Sequence, residues 1–393
     1  MVVDMNIVAP FAFARKLFRP FAFSAALLAL AACDAGIGGA PLLTSRDAIP
    51  VALLVPQSDL ETGAVLASSL ENAARLAISD LEGVEIDLRV YDTGGSASGA
   101  TNAAMAAVGD GAKVILGPVF AEAANAAGGA VANRGVNVLA FSNNPAIAGG
   151  NVFILGNTFQ SSANRLMRYA NGSGRNSVYV VHAANAAEMT ARDAVQSAIA
   201  QTGAQLAGTY AFELSQQGVI NALPEIADGV EASGANAIVL TSGTSGALPL
   251  LAELLPENGV TPPDVQYIGL QRLDIPATAL SLKGVQEAWF ALPDPGLSNT
   301  FAARYSAAFG QPPHPIAGLA YDGIAAIGAL AASGESSISA AALTQPSGFV
   351  GTGGVFRLRG DGTNERGLAV ATIQNNQVVI LDPAPRSFSA PGL

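Results

Sequence analysis

The chain has 393 residues, too long for one ordinary hydrophobic core, and two α/β lobes are the expectation from length alone. A formal net charge of −11 argues against nucleic acid as a partner, because such binding wants basic patches. One cysteine excludes an intrachain disulfide, and two distant histidines, His182 and His314, argue against a histidine-rich metal site.

At the N-terminus Arg15, Lys16 and Arg19 precede a small, apolar run over 21–32. This is the pattern of a signal peptide: a basic n-region, a short h-region and small residues before cleavage. The run is too short to span a bilayer as a permanent helix. It closes on Leu30-Ala31-Ala32-Cys33, which resembles the signal of bacterial lipoproteins. That resemblance implies cleavage after residue 32 and lipid on Cys33; an ordinary signal peptide with a chance cysteine is the alternative. Residues 33–47, rich in Gly, Pro, Ser and Thr, read as a flexible tether.

The folded body opens with a buried strand over 49–56, followed by the polar loop Gln57-Ser58-Asp59. Leu66, Leu70, Ala73, Ala74, Ala77, Ile78 and Leu81 recur at helical spacing, so one amphipathic helix follows. A strand over 86–91 ends at Asp92-Thr93-Gly94-Gly95, and 97–108 is again helical. Short apolar runs at 114–116 and 136–141 flank an alanine-rich helix over 122–133. Runs this apolar are buried on both faces, which predicts parallel strands with a helical crossover. Another short strand over 152–155 leads to a helix near 161–170.

The β-α alternation restarts at 177–181, with strands at 209–212, 237–240 and 266–270 between helices near 188–201, 216–232 and 246–255. Two such series predict two similar lobes rather than one large sheet. A third portion, residues 285–292, leads into helices over 297–309 and 316–332. The last part reads as antiparallel strands at 355–358, 368–373 and 377–381, with turns at Asp361-Gly362 and Asn375-Asn376.

In open parallel sheets ligands bind beyond the carboxyl ends of the strands. The candidate binding residues are therefore Gln57 and Ser58, Phe120 and Ala121 after Gly117-Pro118, and Ser142, Asn143 and Asn144. The last three either hydrogen-bond a polar ligand or simply shape the turn before Pro145. Thr241, Ser242 and Thr244 follow a buried strand and either bind an anion or cap the next helix. Arg272 either pairs with a ligand carboxylate or forms a surface pair with Asp274. No nucleophile elbow, metal-spaced histidines or phosphate loop is present, so neither an enzyme nor a cofactor is expected. Gly351-Thr352-Gly353-Gly354 introduces a strand, not a helix, which rules against a nucleotide loop.

The sequence resembles the type I periplasmic ligand-binding proteins of the leucine/isoleucine/valine-binding family. The residues that carry the likeness are Val51-Ala52-Leu53-Leu54-Val55-Pro56, Val90-Tyr91-Asp92, Ile115-Leu116-Gly117-Pro118 and Ser142-Asn143-Asn144-Pro145. Phe301-Ala302-Ala303-Arg304-Tyr305, Ala320-Tyr321-Asp322-Gly323 and Gly354-Val355-Phe356-Arg357-Leu358 continue it. The resemblance implies an α/β fold of two doubly wound, Rossmann-like lobes joined by a hinge of three crossings. Lobe 1 would be 48–157 plus 285–333, lobe 2 would be 158–284 plus 334–385, and 386–393 would be a tail.

Amino-acid-binding members clamp the ligand's carboxylate with hydroxyls and N–H groups, and its ammonium with a carboxylate. Here Ala121 stands for the family's serine, Asn143 or Asn144 for its threonine, Ala186-Ala187-Glu188 for its tyrosine segment, and Gln271 for its acidic residue. A free branched-chain amino acid is therefore in question. Within the family, the anchor, Asn143-Asn144-Pro145 and 255–259 look most like the penicillin-binding-protein activators, lipoproteins that regulate a peptidoglycan synthase. The sequence reading narrowly favours that function. The alternative is the solute-binding subunit of an ABC transporter for amino acids or similar small polar molecules, with the transporter permease as partner. Either way the protein is expected in the periplasm, lipid-anchored to the inner or outer membrane, and Asp34 resembles an inner-membrane retention signal.

Overall fold

A computed structural model of the chain describes residues 41–42 and 48–388. The predicted signal peptide, Cys33 and most of the tether lie outside the described residues, as does the end of the tail. The first lobe is built from β1 (Ile49–Val55), α1 (Leu60–Ser79), β2 (Ile86–Asp92), α2 (Ala97–Gly109), β3 (Val114–Leu116), α3 (Ala121–Val131), β4 (Asn137–Ala140) and β5 (Val152–Ile154). Its strands are all parallel in the order β2-β1-β3-β4-β5. The predicted crossover between the apolar runs of β3 and β4 is present, with α3 between them. Alanines make the close layer on one face: Ala100, Ala104 and Ala107 of α2 and Ala123, Ala124 and Ala127 of α3 are buried against Leu54, Ile115 and Val138.

The chain then enters the second lobe through α4 (Phe159–Gly172), β6 (Ser177–Ala183), α5 (Ala186–Thr202), β7 (Gln205–Phe212), α6 (Gln216–Ser233), β8 (Ala237–Leu240), α7 (Leu248–Leu254), β9 (Gln266–Gly269) and β10 (Trp289–Leu292). It returns to the first lobe as α8 (Pro295–Phe309), α9 (Gly318–Ala332), α10 (Ala340–Leu343), β11 (Phe349–Gly351), β12 (Gly354–Leu358) and β13 (Asn364–Arg366). It ends in the second lobe with β14 (Ala369–Gln374) and β15 (Gln377–Asp382). The second sheet has seven strands, β15-β14-β10-β9-β8-β6-β7, with β14 and β15 antiparallel to the rest or to each other. Each large sheet is covered on both faces by buried apolar clusters.

Two segments change lobes relative to the sequence expectation. Residues 285–292, assigned above to lobe 1, lie in the second lobe, because β10 pairs with β9 and β14. Residues 334–366, assigned to lobe 2, pack on the first, where Ile338, Leu343, Phe349 and Phe356 share a core with Val51, Leu53 and Ile324. A four-residue apolar strand does not specify which sheet completes its ladder; tertiary pairing does. The closing strands are likewise split. β12 belongs to a separate three-stranded sheet with β11 and β13, while β14 and β15 edge the large one. The predicted turn at Asn375-Asn376 closes the β14–β15 hairpin with both residues at positive φ, 52° and 63°.

The three crossings, at 155–158, 293–294 and 367–368, are laced together by buried polar groups. Arg366 donates to the Leu155 carbonyl from Nε (3.0 Å) and Nη2 (2.6 Å). Its Nη1 pairs with Asp322 at 2.9 Å, and the two side chains are 9% and 1% exposed. Asp322 also accepts from the Thr352 N–H (2.7 Å) and hydroxyl (3.0 Å). Asn364 donates to the carbonyls of Ile154 (2.8 Å) and Gly156 (2.7 Å). The Asp294 N–H, in the second crossing, reaches the Gly353 carbonyl at 2.8 Å. A buried ion pair that loses one member strands the other charge in a poorly solvating interior. Arg366→Met is expected to cost about 3–5 kcal/mol of unfolding free energy, while Arg366→Met with Asp322→Leu costs clearly less than the sum of the single changes. Urea unfolding of the three variants checks this.

Candidate functional site

The strand connections decide where the binding edges face. The chain leaves the first lobe from the carboxyl end of β5 and leaves the second from the carboxyl end of β10, which is parallel to β9. The carboxyl edges of both sheets therefore border the crossings, and each edge carries strand-end loops. This is the place where doubly wound sheets take ligands.

On the first lobe, Gln57 and Ser58 follow β1 and are exposed. Asp92, at the end of β2, accepts from the Ser58 N–H (3.2 Å) and the Gly94 N–H (2.9 Å). Partial burial pushes the Asp92 carboxyl up, but the hydrogen bonds from Ser58 and Gly94 outweigh this and leave it below its ordinary value. Phe120 immediately precedes α3 and is 42% exposed, with Ala121 as the first helical residue. After β4, Ser142 is buried and its hydroxyl accepts from the Asn144 N–H at 3.1 Å. Asn144 in turn accepts from the Ala146 N–H at 3.0 Å and caps a 3₁₀ turn. Both residues hydrogen-bond within the turn around Pro145. Asn143 between them is exposed, and its amide makes no hydrogen bond among the described residues.

On the second lobe the hydroxyls point inward. Glu188, in the first turn of α5, is buried, with one carboxylate oxygen accepting from the Ala183 N–H (2.6 Å) and the Thr241 hydroxyl (3.0 Å). The Ser242 hydroxyl donates to the same carboxylate at 2.8 Å. Thr241 and Ser242 thus tie the ends of β6 and β8 to α5 through Glu188, and neither side chain caps α7, whose N-cap is Ala247. Thr244 donates to the Ile275 carbonyl at 2.6 Å. Gln271 donates to the Thr241 carbonyl at 2.9 Å and packs on Gly243, where a Cβ would sit 2.6 Å from its Oε1. Arg272 makes a two-pronged pair with Asp274 at 2.6 and 2.5 Å and stays about one-third exposed. His182 is buried against its own strand, with Nδ1 3.0 Å from the Ala183 carbonyl.

The groups brought to the two edges and left accessible are therefore Gln57, Ser58, Phe120, Asn143 and Arg272. Two residues outside the sequence candidates organise the site, Glu188 and Asp92. The signal for Glu188 is its spacing: Asn185 three positions before it caps α5 by accepting the Glu188 N–H at 3.0 Å. No sequence pattern says that its carboxylate turns inward.

With this geometry in hand, the sequence matches the family profile described as "Periplasmic binding protein" over residues 48–377. No curated protein gives a significant sequence match. Solved structures of the same fold include a Rhodospirillum rubrum protein assigned provisionally to branched-chain amino acid ABC transport, at 17% identity and TM-score 0.73, covering 85% of this chain and 100% of that one. A branched-chain amino acid ABC transporter periplasmic ligand-binding protein from Burkholderia xenovorans is similar at 18% identity and TM-score 0.68, covering 86% and 96%. A solute-binding protein of an ABC transporter from Rhodopseudomonas palustris, in complex with 3,4-dihydroxybenzoic acid, is similar at 17% and 0.58, covering 87% and 99%.

Glu188→Gln is expected to destabilise the protein by about 1–3 kcal/mol, because an amide cannot accept from Ala183, Thr241 and Ser242 at once. Glu188→Gln in urea unfolding, with faster amide exchange at Ala183, checks the assignment.

Proposed function

The chain belongs to the periplasmic binding protein family, and we propose that it captures a small polar solute between its lobes and delivers it to the permease of an ABC transporter. The family implies a periplasmic location. The observation that carries the reading is the convergence of both carboxyl edges on the crossings, with Gln57, Asn143 and Phe120 on one side and Arg272 on the other. Closure about the hinge would bring these groups onto one ligand.

A free amino acid is disfavoured, since Ala121 stands where amino-acid-binding relatives have a serine and Gln271, where they have an acidic residue, donates to the Thr241 carbonyl. A carboxylate remains a suitable ligand group, because a guanidinium can bind it through two parallel hydrogen bonds. Phe120 offers an apolar ring to the rest of the molecule. We therefore favour a small carboxylic acid. Thermal-shift screening of such acids should find one that, at a hundredfold excess over its Kd, adds about 2.7 kcal/mol of stability. Arg272→Ala should weaken that ligand by about ten- to a hundredfold, the loss of a charge-assisted bond. A flat screen over a broad acid library counts against the proposal.

The inward-turned hydroxyls of Thr241 and Ser242 favour a second reading, in which the fold is kept but the cleft serves a protein partner. This is the activator role, with a penicillin-binding protein as target. Pull-down from envelope extracts separates the two: a peptidoglycan synthase supports the second reading, and transporter subunits alone support the first. Both readings include a lipid on Cys33, expected from the likeness of Leu30-Ala31-Ala32-Cys33 to lipoprotein signals; one acyl chain holds a membrane only marginally and several hold it firmly. Cys33→Ser should release the protein into the soluble periplasmic fraction or leave it unprocessed. A cleaved mutant that still sediments with membranes would refute the anchor.

A further inference from the structure

β15 is the outermost strand of the seven-stranded sheet, with β14 on its inner side. Val379, Ile380 and Leu381 are 37%, 39% and 36% exposed, an unbroken apolar run at a sheet edge. From Gly367 to Leu381 the chain carries no charged residue. The other ends of the two large sheets are guarded, as exposed edges usually are. β2 carries the Asp87–Arg89 pair, and β5 is covered where the Ile154 N–H donates to the Gly362 carbonyl at 2.9 Å. β7 is bent by a shift of register opposite Val178 and Tyr179. The described part of the tail does not fill the place beside β15. Ala384 is buried in the core of the second lobe, and Phe388 lies under Arg357 of β12, 4.4 Å from guanidinium carbon to ring centre.

The backbone groups of this edge have a definite phase. Ile373 turns its carbonyl away from β15, to the Glu287 N–H at 2.8 Å. Val378, which stands opposite Ile373, therefore turns its own N–H and C=O outward, and so does Ile380 two positions on. Val379 faces inward, to Thr372. Leu381 is the extra residue where the register shifts, so the regular ladder ends at Ile380.

We propose that β15 pairs with β15 of a second copy of this chain, antiparallel, about a two-fold axis at Val379. A pairing of this symmetry needs an edge complementary to itself. With the axis at Val379, Val378 stands opposite Ile380 of the second copy, and the two exchange both backbone hydrogen bonds. The side-chain rows match as well. Ile373 and Val378 on one face continue into Ile380 and Ala371 of the second copy. On the other face Trp289, Thr372 and Val379 meet their own images across the axis. β-Branched residues thus face one another, which favours the pair. No like charges are opposed, because Asp382 lies beyond the regular ladder and is held by Arg165 at 2.6 Å. The contact is smaller than the roughly 1,000 Å² of a stable interface, so the dimer is weak and reversible. It uses none of the groups proposed to hold the solute.

The test uses the full chain carrying Cys33→Ser, so that an introduced thiol is the only one. Val379→Cys sets two thiols at the axis, with Cα atoms about 4.5 Å apart, within reach of a disulfide. Gln377→Cys, exposed on the same strand, sets them about 14 Å apart, out of reach. Under a mild oxidant Val379→Cys should form a covalent dimer at least about tenfold faster than Gln377→Cys. Sedimentation of the chain without an added cysteine should show a monomer–dimer equilibrium. Both copies are acidic, so salt should strengthen it by screening their repulsion. Val379→Lys, which places two ammonium groups side by side, should weaken the dimer by about tenfold or more. Should that variant fail to fold, Ile380→Lys guards the same edge. Arg272→Ala should leave association unchanged, so failure of this pairing and failure of the transport reading are distinguishable. A monomer at every concentration up to millimolar overturns the proposal. So does equal cross-linking of the two cysteine variants, a dimer that survives both lysine variants, or a species larger than a dimer.

Discussion

The guanidinium of Arg366 has been taken almost wholly out of water, and a charge in that position must be answered by groups held close around it. Asp322 answers from α9, the Leu155 carbonyl answers from the first crossing, and the face of Phe356 lies 5.0 Å away. Because the third crossing begins at the next residue, Gly367, one side chain sets the start of two of the three connections between the lobes. Asp322 extends the grip to Thr352, next to the Gly353 carbonyl that holds the second crossing. The lobes can turn about these short segments only as far as this buried network allows. Arg165 adds a second tie, donating from α4 to the Leu368 carbonyl at 2.7 Å and to Asp382 at 2.6 Å.

A similar economy shapes the binding edge of the second lobe. Glu188 gathers a backbone N–H and two hydroxyls, so residues that could have faced a ligand instead stiffen the floor beneath one. A carboxylate buried with this many donors is satisfied, and its neighbours lose their freedom to rotate toward the cleft. What remains accessible there is a guanidinium already leaning on Asp274. The first lobe differs, since Asp92 organises backbone N–H groups near Ser58 and leaves side chains accessible.

The repeating strands and helices were legible from apolar spacing. Runs such as Val114–Leu116 have no polar face, so they could only be central strands with helices on both sides. The turn at Asn375-Asn376 was legible too, because asparagine tolerates positive φ and a two-residue hairpin demands it. Signals of this kind are local, and their physics is complete within a few residues. The resemblance to periplasmic binding proteins rested on the order of such local pieces and agrees with the family to which the chain belongs.

Lobe membership and side-chain direction were decided only in three dimensions. Residues 289–292 are as apolar as any other strand, and only the vacancy between β9 and β14 draws them into the second sheet. Phe349 and Phe356 could have closed either lobe until their packing with Ile324 and Leu53 fixed them in the first. Ser142, Thr241 and Ser242 were rightly placed at strand ends, yet whether a hydroxyl faces ligand or protein depends on a partner distant in sequence. For Thr241 that partner is Glu188, 53 positions away. Spacing along the chain determines which residues reach the edge of a sheet; the direction each one faces there is set by hydrogen-bond partners that only the folded chain brings within reach.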